Sequence, residues 1–150
     1  MPTYLGFDYG EKRIGLAVGD DLTGSARPLP SLAGNDWNAV DRALREWRPA
    51  ALVVGLPLLE DGNEQTTTHA ARRFARTLAE RARLPVHLAD ERYSSRAADD
   101  YLREARSSGR MTRRVRKGDR DAQAARVILE QWLQSGGFKS PATLGDNSGP

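Results

Sequence analysis

The sequence predicts a single α/β domain built on a five-stranded mixed sheet, its first three strands antiparallel, with helices on both faces. Three observations carry that prediction. Extended segments follow one another without a helix from Thr3 to Leu32, strand and helix patterns alternate afterwards, and Ala50 to Leu56 is an unbroken apolar run of the kind a sheet covered on both faces requires. A chain of 150 residues, 39% of them hydrophobic, suits one compact core rather than two.

Taken in order, Thr3–Tyr9 and Arg13–Asp20 read as strands joined by a turn through Gly10, Glu11 and Lys12. Ala26–Leu32 is a third strand, and Pro28 and Pro30 assign it to an edge because proline donates no ladder hydrogen bond. Asp36 is placed to cap a helix running to about Arg48, with Trp37, Val40, Leu44 and Trp47 on one face. After the strand Ala50–Leu56, Pro57 and a polar loop from Leu58 to Gln65 lead to a helix over about Thr67–Arg83, apolar at Ala71, Phe74, Leu78 and Ala82. Pro85–Asp90 is the fifth strand. A helix capped near Ser94 or Ser95 carries Ala98, Tyr101, Leu102 and Ala105, and a basic segment follows. Asp119 is read as the N-cap of a last helix with Ala122, Ala125, Leu129 and Trp132 at helical spacing. Residues 1–135 form the domain, and the Gly, Ser, Pro, Asn and Thr of 136–150 read as a flexible tail. The order is β-β-β-α-β-α-β-α-α, and the winding of the sheet reverses between the first strand and the one beginning at Ala50, where open α/β sheets place their ligands.

Composition narrows the chemistry. No apolar run is long enough to span a membrane and no signal peptide precedes the first strand, so the expected location is the cytoplasm. The absence of cysteine removes disulfides and thiolate metal sites, and His69 and His87 are too few for most zinc enzymes. A metal would be held by oxygen ligands, favouring Mg2+ or Mn2+. Charge is unevenly spread: Arg103–Arg120 holds eight Lys or Arg against Glu104 and Asp119, a local net of +6 in a chain of net +3, so the remainder is acidic. Such a cluster suits a phosphate backbone, although a solvated surface loop has the same composition.

Three acids stand where isolated charges are costly. Asp8 ends the first strand on the face of Tyr4 and Gly6, opposite Leu5 and Phe7, and the glycines on either side of it read as room for a ligand, although Asp followed by Gly also makes simple turns. At the fifth strand Asp90 and Glu91 point to opposite faces: His87, Ala89 and Glu91 form one set, Val86, Leu88 and Asp90 the other, and spacing does not choose between them. In the last helix Asp121 lies on the stripe of Ala125, Ile128 and Trp132, and the small Ala122, Ala124 and Ala125 let that helix approach the sheet. Carboxylates from separate elements converging at one sheet edge bind one or two divalent ions about 3.5–4 Å apart and serve phosphodiester hydrolysis. Lys12, Arg13 and the basic segment, Arg110, Arg113, Arg114, Arg116 and Lys117 included, would hold the flanking phosphates.

Four motifs in order then resemble a known family. Leu5–Gly19 (LGFDYGEKRIGLAVG), Val53–Leu58 (VVGLPL) followed by Asp61-Gly62, Asp90–Ser95 (DERYSS), and Lys117–Ala125 (KGDRDAQAA) with Ile128-Leu129 are similar to the YqgF family, to which both Holliday junction resolution and nuclease action on pre-16S rRNA are attributed. The resemblance covers about Thr3 to Leu133. It implies a ribonuclease-H-like fold, assigns Asp8, Glu91 and Asp121 to the acidic positions, thereby choosing Glu91 over Asp90, and Lys12, Arg13 and Arg92 to basic ones. Gly55 and Pro57 match a structural turn beside the site. Ser94-Ser95 and Arg120 depart from the family pattern without removing a ligand, and Arg120 beside Asp121 bears on metal affinity.

The expected activity is metal-dependent trimming of the 5′ end of pre-16S rRNA, with structured RNA and pre-ribosomal particles as partners and no membrane. Resolution of branched DNA is its rival, but a resolvase should present two sites in a stable dimer, for which no dimer helix is evident. A sugar-kinase or actin-like ATPase begins with a similar Asp-x-Gly hairpin but needs two such domains. A non-catalytic nucleic-acid-binding protein would not need acids at positions 8, 91 and 121. Trp37, Trp47 and Trp132 fit helix cores better than base-stacking platforms, and His69 and His87 receive no role.

Overall fold

A computed structural model describes residues 2–57, 66–90 and 117–137. Strands β1 (Thr3–Asp8), β2 (Arg13–Asp20) and β3 (Ala26–Ala33) form an antiparallel meander, and β4 (Ala51–Leu56) and β5 (Val86–Asp90) add parallel to β1. The sheet order is β3-β2-β1-β4-β5, so the proline-bearing strand lies at an edge and the direction of winding reverses between β1 and β4. Helices α1 (Trp37–Trp47), α2 (Thr66–Ala82) and α3 (Lys117–Gln134) cover the sheet. Among the described residues no helix is long and apolar enough to cross a membrane. The predicted loop 58–65, the helix after Ser94, the basic segment up to Arg116 and the tail from 138 lie outside the described residues.

Side-chain parity sorts the core into two layers. Leu5 and Phe7 of β1, Ile14, Leu16 and Val18 of β2, and Leu52 and Val54 of β4 pack against Val40 of α1 and Phe74 and Leu78 of α2. On the opposite face Tyr4, Ala17 and Val53 pack against Ala125, Ile128, Leu129 and Trp132 of α3. All six residues of β4 are buried, as its unbroken apolar run requires. Trp132 is a core residue, and its ring lies 4.7 Å from the buried His87, which gives that histidine a packing role. Trp37 and Trp47 are partly buried against the other layer, Trp37 stacked on Phe74 and Trp47 beneath the Arg27 guanidinium.

Local signals set the helix ends. Asp36 caps α1 by accepting from the Ala39 N–H at 3.0 Å, and Arg48 closes it in a left-handed conformation with its N–H on the Leu44 carbonyl. The buried Thr68 hydroxyl donates to the Pro57 carbonyl, tying the first turn of α2 to the end of β4. Helix α3 departs from expectation: it already includes Lys117, so Asp119 lies within the helix and is not the N-cap. The helix extends through Gly118 despite the low helix propensity of glycine.

Candidate active site

The site is assembled at the carboxyl edge of β1, β4 and β5. Here Asp8 ends β1, the turn 9–12 carries Lys12, Arg13 opens β2, and the first turns of α2 and α3 arrive from opposite faces. Register supplies the central relation. Asp8 pairs directly with Gly15 across the antiparallel β1–β2 ladder, so both positions face the same side of the sheet. That side is covered by α3. A Cβ placed on Gly15 would lie 2.1 Å from the Asp121 carbonyl oxygen and 3.2 Å from the Asp121 Cβ. Since facing cross-strand Cβ positions are about 4.5–5.5 Å apart, Asp8 and Asp121 have Cβ atoms separated by at most about 9 Å. The missing side chain of Gly15 therefore lets a strand and a helix bring two acidic residues to the same side of the sheet.

Arg13 completes the described cluster. Two residues before Gly15 and on the same face, its Nε donates to Asp121 Oδ2 at 3.1 Å, with the two side chains 39% and 30% exposed. At that exposure the pair contributes at most about 1 kcal/mol to stability, so its consequence is positional: it fixes where the Asp121 carboxylate points. Asp8 is half-buried and Lys12 exposed.

The structure thus brings together Asp8, Asp121 and Arg13, with Lys12 beside them. Glu91, Arg92, Arg110, Arg113, Arg114 and Arg116 lie outside the described residues, as does the Lys117 side chain. Val86 and Leu88 of β5 pack on the α1/α2 layer, whereas Ala89 packs on the α3 layer that Asp8 shares; the Asp90 side chain lies outside the described residues. Among the described residues no three carboxylates or histidines are grouped closely enough to hold a metal. Two oxygen-donor side chains on one face are nevertheless the donor chemistry that Mg2+ and Mn2+ take.

One expectation needs correction. The space left by Gly6 is taken by α3, since a Cβ there would lie 2.9 Å from the Leu129 Cβ, and a Cβ on Gly10 would meet the Arg13 carbonyl at 2.7 Å. These glycines admit a helix and close a turn; neither leaves room for a ligand. Gly15, whose importance the sequence did not single out, is the glycine that lets the start of α3 approach β2 opposite Asp8, and its only sequence signal is its place opposite Asp8 once the turn length is known.

Comparison with known proteins places this geometry. The family model described as RuvX: Holliday junction resolvase matches residues 2–135. The chain belongs to the RuvX family. Among curated RuvX relatives, a Legionella pneumophila protein named "Putative pre-16S rRNA nuclease" is 50% identical over 135 residues, covering 87% of this chain and 94% of its own. A Burkholderia ambifaria protein of the same name is 52% identical, covering 87% of this chain and 88% of its own. In structure, Thermus thermophilus RuvC in complex with a Holliday junction substrate aligns over 95% of this chain and 99% of its own with a TM-score of 0.59 at 17% identity. Fowlpox virus resolvase with its Holliday junction DNA gives 0.58 at 10% identity, over 89% and 97%. At such identities the likeness is one of fold, the ribonuclease-H-like fold expected of this RuvX chain.

Proposed function

We infer that the protein is a hydrolase of nucleic-acid phosphodiester bonds, a metal-dependent nuclease that processes the 5′ end of pre-16S rRNA within a unit spanning residues 1–135. The observation that carries this reading is the approach of Asp8 and Asp121 across Gly15 at the carboxyl edge, in a chain half-identical to relatives named for that activity.

Asp8, Glu91 and Asp121 are the proposed catalytic and metal-binding residues. The resemblance of Asp90–Ser95 to the family pattern, which puts Glu91 at an acidic position, supports Glu91 as the third acid. One or two Mg2+ or Mn2+ ions, when bound, supply an activated water and charge stabilisation at the leaving oxygen. The protein's own groups do the rest. Asp8 offers its carboxylate from a rigid strand end, and Arg13 holds the Asp121 carboxylate in one orientation from the neighbouring strand. Lys12 and Arg13 present positive charge beside the scissile phosphate, and Arg92, Arg110, Arg113, Arg114, Arg116 and Lys117 extend it along the flanking backbone.

The description of the family as Holliday junction resolvase supports a second reading, cleavage of DNA four-way junctions. Both are tested by incubating the protein with 5′-extended 16S precursor RNA and with a four-way junction, each with Mn2+, with chelator and as the Asp8→Asn variant. Cutting of the RNA that needs both the metal and Asp8 is the expected result. Cutting of the junction alone moves the activity to DNA, and cutting that survives chelator and Asp8→Asn refutes the carboxylate site.

A further inference from the structure

Helix α2 carries an unusual charge pattern for its place in the fold. Its buried face is Ala71, Phe74, Ala75 and Leu78. The opposite face presents His69, Arg73 and Arg76, spaced four and three residues apart and all exposed. One acid accompanies them: Glu80, the helix's only carboxylate, lies four residues after Arg76 on the same stripe, whereas the first turn has none. A helix dipole favours acids early and bases late, so His69 and Arg73, in the first half, do nothing for helix stability. Local choices that ignore stability point to function.

Position gives the pattern its meaning. The Thr68–Pro57 hydrogen bond sets the start of α2 at the carboxyl edge, so His69 and Arg73 occupy the half of the helix nearer the site and Arg76 lies just past its midpoint. The Phe74 ring on the buried face lies tilted 4.9 Å from the Tyr9 ring, and Tyr9 follows Asp8 in the chain. The stripe therefore runs along the outer side of a helix whose inner side touches the strand end, on the face of the sheet opposite α3. From His69 to Arg76 it spans about 10 Å, the length of roughly three phosphates along one strand of a duplex.

We propose that His69, Arg73 and Arg76 of α2 form a phosphate-backbone tract that grips nucleic acid where it leaves the carboxyl-edge site. The ligand assignment rests on the nuclease reading, whereas the tract itself is testable without cleavage. Two arginines neutralise two phosphates, and His69 adds a hydrogen-bond donor. The slope of log affinity against log salt should then fall by about 1.8 on a duplex, or about 1.4 on a single strand, when both arginines are removed.

The experiment is fluorescence anisotropy in chelator, across a salt series, with a labelled RNA hairpin bearing a 5′ single-stranded extension and with a labelled DNA four-way junction. The full chain is compared with Arg73→Gln/Arg76→Gln and with Arg45→Gln/Arg48→Gln, two arginines near the C-terminus of α1 and far from the site. The expected result is the stated drop in slope for Arg73→Gln/Arg76→Gln on at least one probe, with an unchanged melting temperature, and a wild-type slope for the other pair. An unchanged slope in Arg73→Gln/Arg76→Gln, or an equal drop in both pairs, overturns the tract even if the wild type cleaves RNA. A selective drop in a protein that cleaves neither substrate upholds the tract and removes the nuclease reading instead.

Discussion

Replacing Gly15 with alanine tests the geometry on which the site depends. The added methyl would sit 2.1 Å from the Asp121 carbonyl oxygen and 2.5 Å from its carbon. A tolerable C···O approach is about 3.3 Å, so the first turn of α3 must move away from β2 by roughly 1 Å. The obstructing atoms are backbone, so no rotamer change relieves them. Overpacking of this kind costs about 1–3 kcal/mol. The same displacement carries Asp121 away from Asp8, and a 1 Å error in catalytic placement costs on the order of 10²-fold in rate. Urea unfolding should show a lowered midpoint at constant slope, and cleavage under saturating Mn2+ should fall about 10²-fold per folded molecule. Gly24→Ala is the matched comparison: at φ 69 it is strained, but its nearest neighbour would be 3.6 Å away and it lies at the far end of the sheet. It should lose about 1 kcal/mol of stability and keep its activity. A Gly15→Ala protein with wild-type midpoint and rate would refute the close approach of α3 to β2, and with it the meeting of Asp8 and Asp121.

Other perturbations separate packing from chemistry. Asp121→Asn should cut turnover on the order of 10²-fold or more while leaving the unfolding midpoint within about 1 kcal/mol of wild type, because the Arg13 pair it weakens is partly exposed; a stability loss of several kcal/mol would show Asp121 to be structural. Leu129→Ala, at a fully buried position over Gly6, should cost about 2–5 kcal/mol, read by calorimetry or urea. On the outer face, the Arg81 hydrogen bond, assisted by the charges of Arg81 and Arg45, holds the Asp41 carboxyl below its ordinary range. A lowered carboxyl pKa stabilises the fold above the unfolded value near 3.9, and that contribution fades as pH falls through the folded value. Carbon-detected NMR titration should show the Asp41 midpoint rising in Arg81→Ala, and no rise would dismiss the pair as inconsequential.

Most of the sheet was legible because each strand carries its own reason. Pro28 and Pro30 forced β3 to an edge, the continuous apolar run of β4 forced it to the interior, and the alternation of Leu5 and Phe7 with Tyr4 and Gly6 divided the two layers before any contact was known. The site was legible only in part, because its decisive relations are long-range. Arg13 and Asp121 are separated by 108 residues, and nothing in local periodicity brings them within 3.1 Å. Gly15 matters only through the register Asp8↔Gly15, which the length of the turn at 9–12 sets. The stripe on α2 is hidden in the sequence for a different reason. Counting charge by local density finds Arg103–Arg120, whereas Arg73 and Arg76 are diluted along the chain by the apolar residues of the buried face and become a stripe only once the helix is wound. Parity shows the same logic working in favour of the site. Sequence spacing alone leaves Asp90 and Glu91 equal; in the described part of β5, His87 and Ala89 pack with α3, on the side that Asp8 faces, and Val86 and Leu88 with the other layer. A sequence pattern names the candidates, whereas the layer against which each strand residue packs is set by the fold.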